Sequence, residues 1–517
     1  MARGGVLCGK PVGSPARNGR ANRNADVRRK NARSVDRTST EGSEKASQNK
    51  EALTWLARDR AISLFRDEEG EACALIKLPG RRRIVEVQSK EFKDWLRALA
   101  WYELKWVPSG DPLRASIGTL EAIAKMEGPR YPLHVRCACR GEHIWIDLDG
   151  SRAIRASTEG WEIDNKPPIL FRSFPDQKAL PVPEKPDKGD VRQILRFVNL
   201  ADDGTQLLLL CYLVVALVPG IPIPALVVHG VQGSAKTTLL RLIKRTIDPS
   251  VVDLRAGVKD EDEFALAASQ TRLLYLDNVT LLPGWLSDAI CRATTGAGHA
   301  KRKLYTNKES TLIRYRCACG ISGINPASGK QDLLDRALML SLNGIPPDTR
   351  RPEEDLIAEF DEVRPSILGG LLDSLVHALR VKPSLELAEL PRMADFAMYG
   401  AAAAVALGRR AQDFLDAYQG NVRRQHEAAI DASPVGQTVE EFMSDRTSWQ
   451  GSPAELLEYL TASAEGLKIR TNGKGWPGNP SWLMRRLKEV ETTLTASGIT
   501  IHRTHDGQQR LVTLRRD

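Results

Sequence analysis

Residues 225–240 read ALVVHGVQGSAKTTLL, and this stretch decides the fold. The apolar run before Gly230 has the length of a short buried strand, and the leucines after Lys236 open a helix. A turn bracketed by Gly230 and Gly233 would let backbone N–H groups converge on an anion at the positive end of that helix. The stretch therefore predicts a strand, a phosphate-binding loop and a helix.

The loop departs from the usual pattern at one position. That pattern is G-x-x-x-x-G-K-[ST], and Ala235 stands where the glycine before the lysine is expected. Alanine should fit if this residue already has helical dihedral angles, which would make Gly233 the position that cannot change. We predict that Lys236 neutralises the phosphates of ATP and that the Thr237 hydroxyl binds Mg²⁺. The predicted nucleotide-binding residues are Gly230, Gly233, Ser234, Ala235, Lys236, Thr237 and Thr238.

A second apolar strand supplies a candidate metal ligand. Residues 271–279 read TRLLYLDNV, and Asp277 stands where P-loop enzymes place the carboxylate that holds Mg²⁺. Asn278 follows, in the place of a glutamate that would activate the attacking water. Asparagine can orient a water but cannot accept its proton, so the sequence predicts slow turnover or another base. The alternative to a nucleotide site is a strand, turn and helix in which Lys236 is only solvated.

The positive charge of the chain is concentrated at its start. The formal net charge is +9, and the first 50 residues hold 12 basic and 4 acidic residues. We expect this tail to be disordered, because it has almost nothing apolar to bury. It has no apolar segment like that of a signal peptide, and the stretch Leu207–Val218 is too short to cross a bilayer. A cytoplasmic protein without a membrane partner is expected.

Composition and local signals divide the chain into six parts. The fold class predicted is α/β, with an α+β domain before the nucleotide-binding core and a winged helix after it. The predicted parts are a disordered basic tail (1–50), an α+β accessory domain (51–180), a linker (181–190), the nucleotide-binding core (191–350), a helical region (351–433) and a winged-helix domain (434–517).

The winged-helix prediction rests on helix caps and a hairpin. Ser452-Pro453 and Asn479-Pro480 are both helix starts, and the strands around Asp506-Gly507 have a strong hairpin turn. Residues 466–517 carry 10 basic and 4 acidic residues, enough for phosphate contacts. A packing or oligomerisation module is the alternative. The candidate DNA contacts in this segment are Arg485, Arg486 and Arg503.

Three further elements lie between Asp277 and residue 342. A basic hairpin is predicted from KRKLYT and STLIRYR, with a turn at 307–310. The strand CGISGINP then ends in Asn325, and DLLDRALMLSL presents Arg336 ahead of another strand. The alternative for Asn325 is that it caps a turn before Pro326, and the alternative for Arg336 is that it only pairs with Asp332 or Asp335.

The order of these elements resembles that of the superfamily 3 helicases, the AAA+ ATPases of viruses, phages and plasmids. WLSDAICRATTGAG…RKLYTN, GISGINP…DLLDRALMLSL and PRMADFAMYG are more closely similar to bacterial and phage ATP-binding proteins of mobile elements, some of them linked to primases. The resemblance covers roughly residues 130–517. Ala235 and Asn278 depart from the superfamily pattern.

The resemblance implies a homo-oligomeric ring with ATP and Mg²⁺ between neighbouring subunits. Lys236, Thr237 and Asp277 would act in cis, Asn325 as a sensor and Arg336 as an arginine finger in trans; with Asn278 these complete the catalytic candidates. The hairpin would project into a central channel that holds single-stranded DNA. Its candidate DNA contacts are Lys301, Arg302, Lys303 and Lys308.

Two functions are therefore expected. The first is an ATP-dependent DNA translocase or helicase in the replication of a phage, plasmid or integrated element, acting with a separate primase. The second is a slowly hydrolysing, ATP-gated DNA-binding or assembly switch, which Asn278 and the lack of a primase domain favour.

Overall fold

The computed structural model describes residues 51–79, 81–108, 110–279, 282–302, 310–323, 331–387, 389–473, 476–506 and 509–516, which form a mixed α/β fold. The helices are α1 (51–60), α2 (Lys90–Leu104), α3 (Gly110–Met126), α4 (Asp203–Ala216), α5 (Lys236–Ile247), α6 (Glu261–Ser269), α7 (Gly284–Thr295), α8 (Gln331–Leu334), α9 (Glu353–Val381), α10 (Ala394–Ala406), α11 (Ala411–Asp431), α12 (Pro434–Phe442), α13 (Pro453–Gly466) and α14 (Pro480–Ala496). The strands are β1 (Ser63–Arg66), β2 (Ala72–Leu78), β3 (Arg81–Glu86), β4 (Leu133–His134), β5 (Cys137–Arg140), β6 (His143–Asp147), β7 (Ala153–Ala156), β8 (Trp161–Asp164), β9 (Leu170–Phe171), β10 (Ala225–Gly230), β11 (Leu273–Leu276), β12 (Ala297–Arg302), β13 (Ser310–Tyr315), β14 (Ala318–Ser322), β15 (Ala337–Leu342), β16 (Ser448–Gly451), β17 (Ile499–Asp506) and β18 (Gln509–Arg516).

A four-stranded parallel sheet forms the centre of the fold. Its strand order is β11-β14-β10-β15, so β14 lies between the strand of the quoted loop and the strand that precedes Asp277. Because the strands are parallel, their carboxyl ends share one edge of the sheet. The loop after β10 and the residues that follow β11 and β14 therefore lie close together at that edge.

The longest apolar stretch is a buried helix, as predicted. Residues 207–216 of α4 are all buried, and α4 packs against α9, α10 and α11. Its Tyr212 hydroxyl lies 3.4 Å from the hydroxyl of Tyr275 in β11. In the part of the chain that the structure describes, no helix combines the length and apolarity needed to cross a membrane.

The C-terminal segment has the predicted local structure. The elements follow one another as α12, β16, α13, α14, β17 and β18, and the three strands form an antiparallel sheet in the order β16-β18-β17. Ser452 Oγ accepts the Glu455 N–H at 3.2 Å while the Glu455 carboxylate accepts the Ser452 N–H at 2.7 Å. Asn479 caps α14 through the Trp482 N–H. Both predicted helix starts are confirmed, as is the pairing of β17 with β18; Gly507 lies outside the described residues.

The chain forms two compact units whose boundary differs from the predicted one. The described part of the smaller unit comprises residues 51–66, 71–74 and 86–129, and includes α1, α2 and α3. The larger comprises 67–70, 75–85 and 130–516. Residues 130–180, which we assigned to an accessory domain, thus belong with the sheet that carries the quoted loop.

A buried ion cluster explains this boundary. Arg136, which precedes β5, has no exposed surface and donates to the carboxylate of Asp248 at the end of α5, 3.0 Å away. The other carboxylate oxygen of Asp248 accepts from Lys244 Nζ at 2.8 Å. Buried charges must be paired and hydrogen-bonded to be tolerated. These contacts therefore fix the segment before β5 to the end of α5.

The predicted linker is also part of the packed structure. The Glu184 N–H donates to the Pro365 carbonyl of α9 at 2.9 Å, and the Asp190 N–H donates to that of Ser366 at 3.1 Å. A Cβ added at Gly370 would lie 2.4 Å from the Val191 nitrogen. Glycine in α9 therefore lets residues 184–191 lie directly on the helix.

We predict that Asp248→Asn destabilises the protein by about 3–5 kcal/mol, because it leaves Arg136 and Lys244 buried without their carboxylate. Burial by itself raises the pKa of Asp248, but Lys244 and Arg136 outweigh it and hold that pKa well below its ordinary value. The contribution of Asp248 to stability is therefore fully present above the ordinary carboxyl pKa of about 3.9, and it is lost progressively as the pH falls from that value through the lower pKa of the folded state. Urea denaturation at about pH 7 measures the first effect, and a series from about pH 5 to about pH 2 follows the onset of the second.

The control is Asp445→Asn, which removes a carboxylate that is 73% exposed and pairs with Arg446. Its effect should stay within about 0.5 kcal/mol. Equal effects of the two substitutions would contradict the role assigned to Asp248.

Candidate nucleotide-binding site

The loop after β10 requires glycine at two positions. Gly230 has φ 154° and Gly233 has φ 78°, values that side chains disfavour. A Cβ at Gly230 would also lie 2.6 Å from the Leu342 carbonyl oxygen, whereas at Gly233 the nearest atom would be a guanidinium nitrogen of Arg350 at 3.4 Å. Gly230 is therefore at least as constrained as Gly233, which we had singled out.

Ala235 does not have the helical dihedral angles that we had expected. It is the N-cap of α5 and has φ 62° and ψ 35°, in the left-handed region. A Cβ in this region is unfavourable, by about 1–2 kcal/mol. The explanation that alanine fits because it is helical is therefore wrong: the loop has the backbone that glycine prefers, and alanine adopts it under strain.

The remaining loop residues present groups suited to an anion. Lys236 Nζ donates to the carbonyls of Gly230 and Val231, at 2.9 and 3.0 Å, so its ammonium lies over the loop. Ser234 is fully buried, and its hydroxyl has no hydrogen-bond partner among the described residues. The first turn of α5, which includes Thr237 and Thr238, directs its free N–H groups at the same place. This donor set fits a phosphate group.

The predicted metal ligands are brought together. Thr237 Oγ1 donates to Asp277 Oδ1 at 3.0 Å, although the two residues are 40 positions apart. Hydroxyl and carboxylate oxygens of this kind, completed by phosphate oxygens, suit Mg²⁺. Within the described residues no group of three or more His, Cys, Asp or Glu side chains could hold a metal by itself.

A third residue, which we did not predict, completes this contact. Ser322, buried at the end of β14, donates its hydroxyl to the same Oδ1 atom of Asp277. It can do so because β14 lies between β10 and β11. The sequence contains only a weak signal for it, a polar residue at the end of the apolar strand ACGIS.

Asn278 has an unusual backbone conformation. Its φ is 55°, and its N–H donates to Ser322 Oγ at 3.1 Å. A Cβ on Gly323 would approach its Cα to 3.0 Å. Asparagine tolerates left-handed dihedral angles better than other residues with a side chain, so this position has a structural reason to be asparagine.

Arg336 lies at the opposite edge of the sheet. It immediately precedes β15, which is parallel to β10, and its carbonyl accepts the Ala225 N–H at the start of β10. Six residues of strand separate the two edges by about 20 Å, so Arg336 cannot reach the loop of its own chain. Its guanidinium pairs with Asp332 at 3.4 Å. Asn325, the predicted sensor, lies outside the described residues.

The basic hairpin is present, with its first strand displaced. β12 pairs antiparallel with β13 from Ala297–Tyr315 to Arg302–Ser310. The first strand therefore begins at Ala297, not at Lys301, because residues 297–300 also pair with β13. Lys301 and Arg302 lie in β12, while Lys303 and Lys308 lie outside the described residues.

Two of the three candidate DNA contacts in the C-terminal segment are paired with glutamates. Arg486 contacts Glu489 at 2.7 Å, and Arg503 contacts Glu491 at 2.8 Å. Arg485 is exposed on α14 and makes no ion pair with another described residue. Of the three candidate DNA contacts, only Arg485 thus presents an unshared charge.

A separate cleft of about 510 Å³ lies between residues 159–161 and α9, away from the loop. Its Asp373 carboxylate already accepts from Trp161 Nε1 at 2.7 Å and from the Asp187 N–H at 3.0 Å. These contacts account for the Asp373 carboxylate as part of the packing between the two segments.

Residues 191–424 match the family described as the actinomycete integrative conjugative element replication protein. Residues 435–517 match the C-terminal domain of the same replication protein. The two matches cover more than half of the chain. Over these residues the chain belongs to a family of replication proteins of actinomycete conjugative elements. No curated protein matches it.

Among solved structures, the apo C-terminal region of NrS-1 is similar with a TM-score of 0.41 and 11% identity, covering 90% of this chain and 98% of that one. The structure titled "SCCmec type IV Cch - active helicase" is similar with a TM-score of 0.35 and 8% identity, covering 88% and 92%. Likeness at this level establishes neither a shared activity nor a shared ligand.

We predict that Ala235→Gly stabilises the protein, by about 0.5–1 kcal/mol, because the relief of left-handed strain exceeds the entropy that glycine adds to the unfolded chain. The control is Ala462→Gly at an exposed position inside α13, which should destabilise by about 1 kcal/mol. Chemical denaturation measures both. If Ala235→Gly is as destabilising as the control, the assigned strain is absent.

Proposed function

We propose that this chain is an ATP-dependent DNA translocase or helicase that acts in replication of an integrative or related mobile element. The observation that carries the proposal is the meeting of Thr237 and Asp277, 3.0 Å apart, beside the ammonium of Lys236 at the carboxyl edge of a parallel sheet. Membership of a replication protein family supports the biological setting. The resemblance to superfamily 3 helicases supports the activity.

In this proposal the loop binds the phosphates of ATP. The N–H groups of Gly233 to Lys236 and the buried Ser234 hydroxyl would receive phosphate oxygens, and Lys236 would exchange its loop carbonyls for them. Thr237 and Asp277 would hold Mg²⁺, which supplies charge neutralisation at the β and γ phosphates. Ser322 keeps the Asp277 carboxylate turned toward Thr237.

A second copy of the chain would complete the site. Arg336 lies at the amino edge of the sheet, so it can act only on a nucleotide held by a neighbour, as in a ring of subunits. The hairpin β12–β13 would contact single-stranded DNA in the ring. The order of elements from α12 to β18 is that of a winged helix, which would add a second DNA contact through Arg485 on α14. A separate primase remains a proposed partner.

Asn278 favours a second candidate, an ATP-gated DNA-binding or assembly switch. Its amide cannot take a proton from the attacking water, so hydrolysis would be slow unless another base acts. A motor releases phosphate continuously on DNA, whereas a switch holds ATP for many minutes per turnover. Measuring phosphate release after rapid mixing with ATP and single-stranded DNA separates the two.

We predict that the purified protein hydrolyses ATP faster with single-stranded DNA, and that Lys236→Ala lowers kcat/KM by at least about 100-fold because the phosphate charge is no longer neutralised. The matched control is Lys166→Ala, which removes an exposed lysine between β8 and β9, outside the sheet that carries the loop, and should leave turnover unchanged. Full activity of the Lys236→Ala variant would overturn the proposal.

A further inference from the structure

Arg336 adjoins a cluster of four ionisable side chains. Asp332 and Asp335 precede it in the chain, Arg392 comes from the segment before α10, and His426 comes from α11. Arg392 Nη2 lies 2.5 Å from Asp332 Oδ1, and its Nη1 lies 2.6 Å from Asp335 Oδ2. His426 Nε2 lies 3.1 Å from Asp335 Oδ1. We call this set the Arg392 cluster.

Arg336 and Arg392 share one oxygen atom. Both approach Asp332 Oδ1, Arg392 at 2.5 Å and Arg336 at 3.4 Å. Arg392 has the better contact because its planar guanidinium reaches two carboxylates at once, with one nitrogen on each. Within the part of the chain that the structure describes, Arg336 is consequently left with a single long ion pair.

The residues of this cluster come from two separate sequence motifs, and nothing in the sequence indicates that the motifs are in contact. DLLDRALMLSL contains Asp332, Asp335 and Arg336, and PRMADFAMYG contains Arg392, some 60 residues further on. The fold brings the two motifs into contact on α8. No part of the proposed nucleotide chemistry uses Arg392.

We propose that Arg392 is a positioning residue for Arg336. By occupying the carboxylates of Asp332 and Asp335, it prevents these residues from capturing Arg336 within its own chain. Arg336 is then available for the nucleotide of a neighbouring subunit. This inference rests on the proposed function, in which Arg336 acts in trans.

Loss of Arg392 has a definite consequence in this arrangement. Asp335 keeps its contact with His426, whereas Asp332 loses its nearer cation. Among the described residues Asp332 then has Arg336 as its remaining cation, beside the thiol of Cys291. The pair of Arg336 with Asp332 therefore tightens and holds the arginine in cis. Turnover falls while nucleotide affinity is preserved, because the loop that binds ATP lies at the other edge of the sheet.

The test uses the full chain with single-stranded DNA and measures kcat together with the Kd for a fluorescent ATP analogue. Arg336→Ala provides the reference, with an expected loss of about 10³-fold in kcat, the scale of an arginine finger. Arg392→Ala should lower kcat at least about tenfold while Kd changes by less than about twofold. The matched control is Arg155→Ala, since Arg155 is a similarly exposed arginine that pairs with Glu162.

The decisive variant is Asp332→Ala combined with Arg392→Ala. Removing the residue that captures Arg336 should return kcat to within about threefold of the unmodified protein, a coupling that two independent losses would not show. If the double variant is as inactive as Arg392→Ala, Arg392 has only a structural role and the inference is overturned. Arg392→Gln is measured alongside, in case Arg392→Ala does not fold.

Failure of the inference can be distinguished from failure of the proposed function. Normal kcat in Arg392→Ala, with loss in Arg336→Ala, overturns the positioning role alone. Normal kcat in Arg336→Ala removes the trans arginine, and the positioning role with it.

Discussion

The site depends on the buried carboxylate of Asp248. This residue ends α5, and besides Lys244 and Arg136 it accepts the N–H groups of Arg272 and Leu273 at the start of β11, at 2.8 and 3.1 Å. α5 and β11 are thus joined at one end. A twelve-residue helix spans about 18 Å and the strand with Asp277 about 15 Å, so the opposite ends also meet. There, Thr237 contacts Asp277.

The two departures from the superfamily pattern have different physical meanings. Both Ala235 and Asn278 have left-handed backbones, with φ 62° and 55°. Asparagine is suited to this conformation and alanine is not. Asn278 therefore meets a backbone requirement in addition to any effect of its amide on water. Ala235 introduces strain at the turn that carries Lys236.

The sheet separates the two charges that ATP hydrolysis would require. Lys236 lies at the carboxyl edge, where the parallel strands end, and Arg336 lies at the amino edge, where its ion pair with a described residue is the long one to Asp332. In the proposed function, a chain with this topology would present half of a site at each edge. This separation is the reason for proposing a ring. In that ring, the Arg392 cluster would keep Arg336 available for the nucleotide of the neighbouring subunit.

Local features were predictable from the sequence. Signals within a few residues determine the strand, loop and helix around Lys236, the caps at Ser452 and Asn479, and the hairpin pairings. Over such short ranges glycine, proline and apolar periodicity act directly. The dihedral angles of Ala235 were not, because the sequence signals show that α5 begins near this residue but do not specify the backbone conformation of its N-cap.

Sequence alone thus determined the strand, loop and helix around Lys236 and the candidate nucleotide-binding residues. It also predicted that Thr237 and Asp277 serve the same Mg²⁺. Tertiary structure decided which further residues join them. Ser322 contacts Asp277 across 45 positions, Arg392 contacts Asp332 across 60, and Arg136 contacts Asp248 across 112. Such contacts depend on strand order and on the burial of charge, and neither leaves a periodic pattern along the chain.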